Sequence, residues 1–193
     1  MAHAFENGAA PERINVIGTS GSGKTTFARE LARLLGLPCY EMDALFWKPG
    51  WRESSDEELL RKVEAATSGP RWVLDGNYTR TRAISWRRVQ LVVWLDPSFM
   101  STLCSVTART VRRAFTGEEL WPGTGNRESL AQAFFTRKSI IWWAISRHGH
   151  NRRKYSAAMA APEYRHIRFV RLGSRREATR FLDGLRVTAR EPG

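Results

Sequence analysis

The chain has 193 residues, 42% of them hydrophobic, which is enough for one domain with a real core and excludes disorder throughout. Its apolar runs, residues 91–95 and 140–145, are too short to cross a bilayer, and its first residues lack the pattern of a signal peptide, so we expect a cytoplasmic protein without a membrane segment. The formal charge of +12 predicts an anionic partner, either a phosphate-rich small molecule or nucleic acid, or else a solvated basic surface.

Predicted strands and helices alternate along the chain. Strands are predicted at residues 13–17, 38–42, 71–74, 90–95 and 166–172, and helices at residues 24–35, 56–66, 97–115, 127–147 and 175–185. Gly36 is a stop signal for the first helix, and Ser55 with Glu58 is a capping box for the second. This repeated alternation predicts an α/β fold, a three-layer α/β/α sandwich whose five-stranded parallel sheet is covered on both faces.

The pattern favours a single domain over residues 1–193. Residues 1–11 form a loose tail, and two insertions are predicted at about 44–70 and 114–150, the second containing a Gly- and Pro-rich loop at residues 116–125. The two cysteines, Cys39 and Cys104, lack the spacing of metal ligands and are expected to be buried apolar thiols.

A glycine-rich segment between the first strand and the first helix matches the P-loop pattern G-x-x-x-x-G-K-[ST]. Its residues are Gly18, Thr19, Ser20, Gly21, Ser22, Gly23, Lys24 and Thr25, with Thr26 following. Glycines let backbone N–H groups turn toward phosphate oxygens, and the helix presents its positive N-terminus to the same anion. Lys24 can reach the β- and γ-phosphates and Thr25 can bind Mg²⁺, so the segment predicts binding of a nucleoside triphosphate, ATP in the first place.

Three aspartates follow predicted strands, where ligands of open α/β sheets bind. Asp43 and Asp75 are candidates for holding the Mg²⁺ shell or for accepting a proton from an acceptor. The alternative for Asp75 is a simple turn, because Asp-Gly is a common turn pair. Asp96, which precedes Pro97, is interpreted as the N-cap of the following helix.

Three stretches together resemble bacterial proteins related to adenylate kinase, some of which carry the label "DNA topology modulation protein". They are the P-loop, the run Asp43-Ala-Leu-Phe-Trp-Lys-Pro-Gly-Trp51, and the run Trp72-Val-Leu-Asp-Gly-Asn-Tyr78. The resemblance covers roughly residues 13–186. It implies a P-loop kinase fold with strand order 2-3-1-4-5, an acceptor-binding flap after the second strand and a lid after the fourth.

The resemblance also implies roles for individual residues. Asp75 acts on the Mg²⁺ shell, Asp43 binds the acceptor hydroxyl, and Arg109 and Arg113 are lid arginines. The Pro-Arg pair that follows the Asp-Gly in adenylate kinase is missing here, since Tyr78 and the residue after it take its place, which argues against AMP as the acceptor.

The sequence therefore predicts a kinase that moves the γ-phosphoryl group of Mg·ATP to a small-molecule acceptor, which it does not identify. Two alternatives stay open. One is an NTPase or regulatory nucleotide-binding protein with no acceptor except water. The other is a nucleic-acid-binding protein that uses ATP, which the net charge favours although no nucleic-acid-binding signature is present. The sequence does not predict an oligomeric state.

Overall fold

The computed structural model describes residues 10–117, 119–121, 123–127 and 140–188. Most of the predicted tail and the central part of the predicted lid lie outside these residues. Among the described residues, no helix has both the length and the apolar character needed to cross a membrane.

The centre of the fold is a parallel sheet of five strands. They are β1 (Arg13–Gly18), β2 (Cys39–Glu41), β5 (Trp72–Asp75), β6 (Leu91–Leu95) and β7 (Arg168–Leu172), in the spatial order β2-β5-β1-β6-β7. Counted as parallel strands alone, this is the predicted order 2-3-1-4-5. The numbers shift because a short antiparallel hairpin, β3 (Trp47–Lys48) with β4 (Arg52–Glu53), comes between the second and third parallel strands.

Helices cover both faces of the sheet. They are α1 (Lys24–Leu35), α2 (Met42–Phe46), α3 (Asp56–Thr67), α4 (Arg82–Ser85), α5 (Phe99–Thr116), α6 (Ile140–Ala160) and α7 (Arg175–Thr188). Every residue of β6 is buried, as expected for a strand covered on two sides. The three-layer α/β/α architecture predicted from the alternating pattern is confirmed.

Two apolar clusters hold the layers together, one on each side of the sheet. One joins β1 and β6 to α1 and α7, with members Ile14, Val16, Phe27, Leu31, Val93 and Leu185. The other joins the sheet to α3 and α6, with members Ile17, Leu59, Trp72, Trp86, Trp94 and Tyr155. Burying a large apolar side chain contributes about 1.5–3 kcal/mol, so these clusters supply the main stabilisation of the domain.

Local signals place the helix ends. Helix α1 has the predicted bounds, and it ends at Gly36, whose φ of 62° lies in the left-handed region. The Ser55 hydroxyl accepts a hydrogen bond from the Glu58 N–H at 3.2 Å and caps α3, and Ser174 caps α7 in the same way. Asp96 is not the N-cap of α5 as predicted, because Ser98 takes that position and accepts a hydrogen bond from the Ser101 N–H.

Other predictions are wrong at element ends. Strand β2 stops at Glu41, and Asp43 lies in the first turn of α2, because Met42 and Phe46 are buried at helical spacing. The structure describes the helix predicted at 127–147 only from Ile140. This helix continues to Ala160 instead of ending at residue 147. It continues because Asn151, Tyr155 and Ala158 are buried at the spacing of a single helix face.

The two cysteines differ from each other. Cys39 is partly buried, and burial raises the pKa of its thiol to about 11, which fits the expected inert thiol. Cys104 is exposed, so the prediction of a second buried thiol is wrong. It lies on α5, where Thr102 and Val106 face inward.

Candidate functional site

The glycine-rich segment forms a tight loop between β1 and α1. The Ser22 N–H donates to the Thr19 carbonyl at 3.0 Å, and Gly23 is the N-cap of α1 at a φ of 88°. Gly21 has a φ of 84° and packs against α5, where an added Cβ would lie 2.7 Å from the Thr102 carbonyl oxygen. The segment therefore has the compact backbone that the pattern predicts, with glycines where φ is positive.

Beside this loop lie Thr25, which the P-loop pattern predicts as a Mg²⁺ ligand, and Asp75, for which the resemblance implies a role in the Mg²⁺ shell. The Thr25 hydroxyl donates to Asp75 Oδ2 at 2.6 Å, and Asp75 Oδ1 is buried without a hydrogen-bond partner. Both groups are oxygen ligands of the kind Mg²⁺ prefers. The described residues contain no cluster of three or more His, Cys, Asp or Glu side chains that could hold a metal ion. When bound, Mg²⁺ would neutralise charge on the phosphates.

Burial dominates the electrostatics of Asp75. It raises the pKa of this carboxyl, while Lys24 and the hydrogen bond from Thr25 oppose the rise. The nearby carboxylates of Asp43 and Glu41 raise the pKa of Asp75 further. Burial thus makes the ionised carboxylate of Asp75 unfavourable in the protein alone. A cation bound beside it would stabilise that carboxylate.

A second polar pair lies beside the first, on the side of β2. The Tyr78 hydroxyl donates to Asp43 Oδ1 at 2.8 Å, and both side chains are partly buried. Burial and the Asp43 charge raise the pKa of Tyr78, so its hydroxyl stays protonated and remains a donor. The two pairs occupy neighbouring elements because β2 and β5 are adjacent in the sheet, with Glu41 opposite Asp75.

Aromatic rings continue from this second pair into the hairpin. Adjacent members of the row Tyr78, Phe46, Trp47, Trp51 and Trp121 have ring centroids 4.9–5.9 Å apart. Trp47 also packs against the core cluster on this side of the sheet. Trp47 therefore combines core packing with partial exposure.

Two helices reach the phosphate loop from the other side. Arg109 of α5 donates to the Ser20 hydroxyl at 3.1 Å, which places it at the loop. Arg113 lies one turn later, near the end of α5. The lid roles of both arginines stay predictions. Asn151 of α6 is buried and lies 3.4 Å from the Thr19 hydroxyl, a contact that the sequence did not indicate, since this asparagine stands in a run of charged residues.

A cavity of about 500 Å³ lies near the ends of β6 and β7. Asp96, which is buried, accepts hydrogen bonds there from Arg152 and Arg171, each at 2.9 Å from the guanidinium Nε. Arg171 also stacks over Trp94 at 4.6 Å. The aspartate therefore ties α6 to the sheet through an ion-paired cluster, which accounts for its position better than capping does.

Comparison with solved structures finds kinases among the chains of similar fold. A shikimate kinase from Acinetobacter baumannii, solved in complex with shikimate, is 18% identical with a TM-score of 0.57, over 99% of this chain and 100% of that chain. A shikimate kinase from Bacteroides thetaiotaomicron is 15% identical with a TM-score of 0.52, over 93% and 98%. A gluconokinase from Sinorhizobium meliloti 1021 is 19% identical with a TM-score of 0.48, over 93% and 94%.

No protein-family model matches the chain, and a search of curated proteins found no match either. The narrower resemblance to the bacterial group labelled "DNA topology modulation protein" therefore stays a prediction. At these identities the likeness to solved structures concerns the fold, and the chain has the α/β fold of the P-loop kinases.

Proposed function

We propose that this protein is a kinase that transfers the γ-phosphoryl group of Mg·ATP to the hydroxyl group of a small molecule. The observation that carries the proposal is the pairing of two polar sites at one end of the sheet. Thr25 and Asp75 lie at the phosphate loop, and Asp43 with Tyr78 lies beside them. Hydrolysis of ATP by water requires the first site alone, whereas transfer to an acceptor requires a second one.

The phosphate loop would hold the donor. Its backbone N–H groups and Lys24 would bind the β- and γ-phosphates, while Thr25 and Asp75 would hold Mg²⁺. Arg109, already at Ser20, would lie close to the transferred group, and Arg113 would close over it from the same helix. Catalysis would then depend on position and charge neutralisation.

Asp43 would orient the acceptor. Its Oδ1 accepts from Tyr78, which fixes the carboxylate and leaves Oδ2 to accept the acceptor's hydroxyl proton. In the transfer, the acceptor oxygen bonds to the γ-phosphorus, the bond from that phosphorus to the bridging oxygen breaks, and the hydroxyl proton passes to Asp43. ADP leaves with the electron pair of the broken bond.

The test is a measurement of ADP release with Mg·ATP and a panel of hydroxyl compounds, including sugars, cyclitols, nucleosides and nucleoside monophosphates. Lys24→Ala should weaken ATP binding or abolish turnover. Asp43→Asn should bind ATP almost normally and lose transfer by a factor of about 10² or more, the scale of a positioned proton acceptor. Asp183→Asn, an exposed carboxylate of α7, serves as the matched control.

Two outcomes would contradict the proposal. If no compound of the panel increases ADP release and Asp43→Asn hydrolyses ATP as fast as the parent, the protein is an NTPase with water as its acceptor. If the protein binds DNA or RNA tightly and with sequence selectivity at physiological salt, the nucleic-acid alternative replaces the kinase. We expect only weak binding to nucleic acid that falls steeply as salt increases.

A further inference from the structure

The loop after α5 is joined to the flap hairpin by one buried asparagine. We call residues 119–121 and 123–127 the lid loop, and residues 47–53 the flap hairpin. Asn126 of the lid loop is 1% exposed. Its Oδ1 accepts from the Trp51 N–H at 2.9 Å, and its Nδ2 donates to the Lys48 carbonyl at 3.0 Å. A single side chain thus satisfies two backbone groups of an element 75 residues away.

The lid loop has hydrogen bonds of its own that hold Asn126 in place. The Leu120 N–H donates to the Asn126 carbonyl at 2.9 Å, and the Gly125 N–H donates to the Glu119 carboxylate. The Thr124 hydroxyl donates to the Trp121 carbonyl at 2.7 Å. Because these bonds do not involve the Asn126 side chain, removing that side chain should leave the loop folded.

On the flap side, the asparagine holds a strained residue. Trp51 has a φ of 58°. Among the described residues, every other residue with a positive φ is a glycine. Such a conformation is unfavourable for a bulky side chain and persists where surrounding contacts enforce it, often at ligand clamps. The Trp51 ring contacts Trp121 of the lid loop on one side and Trp47 on the other, with centroids 5.9 and 5.6 Å away.

We propose that Asn126 is a positioning residue that fixes the lid loop on the flap hairpin before any ligand binds, so that Trp51 and Trp121 form a preformed wall of the acceptor pocket. The wall continues through Trp47 and Phe46 to Tyr78, the partner of Asp43. Asn126 therefore acts on the acceptor through the tryptophans and not by touching the reacting atoms. The role in acceptor binding rests on the proposed kinase function, whereas the preformed contact does not.

The first experiment tests the preformed contact in the protein without ligands. In Asn126→Ala, amide hydrogen exchange at Trp51 should be about tenfold to a hundredfold faster than in the parent, the loss expected when a buried hydrogen bond is removed. Thr116→Ala is the matched control, because it removes an exposed hydroxyl at the end of α5 whose bond, to the Arg113 carbonyl, stays within that helix. Unchanged exchange at Trp51 in Asn126→Ala would overturn the proposal, as would an equal increase in Thr116→Ala.

The second experiment separates positioning from simple stabilisation. In Asn126→Ala the acceptor KM should rise about tenfold, with kcat changed by less than about threefold and ATP affinity unchanged, since only uniform binding of the acceptor is lost. Trp51→Gly keeps the N–H for Asn126 and tolerates the positive φ, so the amide at position 51 should stay protected while the acceptor KM rises. Equal losses in ATP affinity and acceptor KM would indicate general destabilisation and contradict the proposed role. If no acceptor is found, the kinase proposal fails. The exchange measurement still decides whether Asn126 fixes the lid loop on the flap hairpin.

Discussion

Asp75→Asn should make the protein more stable at neutral pH and at the same time unable to respond to Mg·ATP. Asp75 is 4% exposed, and one of its carboxylate oxygens has no partner. Burial raises the pKa of this carboxyl in the folded protein. A carboxyl whose folded pKa is raised contributes stability when it is protonated, at low pH, and that contribution is lost as the pH rises through the folded pKa. At neutral pH the ionised Asp75 therefore destabilises the fold.

The size of the effect follows from two opposing changes. Asparagine removes the buried charge, and its oxygen can still accept a hydrogen bond from the Thr25 hydroxyl. Its NH₂ group takes the place of the unpartnered oxygen, which costs about 1–3 kcal/mol if that group finds no acceptor. Removing an uncompensated buried charge is worth several kcal/mol, of which Lys24 already offsets a part. We expect a net gain of about 1 kcal/mol at pH 7, or a Tm higher by about 2–4 °C for a chain of this size.

Thermal unfolding followed by circular dichroism between pH 4 and pH 8 measures this difference. The advantage of Asp75→Asn over the parent should shrink as the pH falls, because the parent carboxyl then becomes protonated. Adding Mg·ATP at about 100 times its Kd should stabilise the parent by about 2.7 kcal/mol and the variant much less, which reverses their order. A difference in Tm that does not depend on pH, or an equal response of both proteins to Mg·ATP, would refute this account of Asp75.

Two further substitutions test the packing of the site. Gly21→Ala should weaken ATP binding and lower the Tm, because its Cβ would lie 2.7 Å from the Thr102 carbonyl oxygen. Gly23→Ala is the control, since Gly23 has a similar positive φ but no atom within 4 Å of an added Cβ, and equal melting temperatures for the two variants would contradict the collision argument. Trp86→Phe should lower the free energy of unfolding in urea by about 1–3 kcal/mol, because it leaves the buried Asn15 Oδ1 without the indole donor at 2.7 Å. A loss below about 0.5 kcal/mol would show that Asn15 finds another donor.

Local patterns in the sequence predicted much of the fold. Helix α1 begins after Gly23 and ends before Gly36, and both glycines have positive φ values, so the two ends were predictable from residue types alone. Strand β6 was predictable because an unbroken apolar run fits a central parallel strand. The role of Ser55 as a cap was predicted on the same local basis.

Contacts between distant segments could not be predicted in this way. Asn126 and Trp51 have no feature in the sequence that pairs them, and a polar residue at the end of a Gly- and Pro-rich loop is expected to face solvent. Asn151 lies in a charged run, and its burial against Thr19 depends on where α6 crosses the sheet. Asp43 was predicted to follow a strand directly. A three-residue strand and a five-residue helix are too short for sequence patterns to distinguish the strand period from the helix period.

The order of the strands places one carboxylate, that of Asp75, between the phosphate loop and Asp43. The chain passes from β1 to β2 through α1, and β5 later enters the sheet between them, so Asp75 has Val16 on one side and Glu41 on the other. The phosphate loop follows β1, and Asp43 follows β2, so the position between them falls to the last residue of β5. The residue at that position, Asp75, accepts from Thr25. Burial is the main cause of the rise in its pKa, and it lies near enough to Asp43 for that carboxylate to add to the rise. For this reason we expect substitutions at Asp75 to affect both nucleotide binding and transfer, whereas those at Asp43 affect transfer alone.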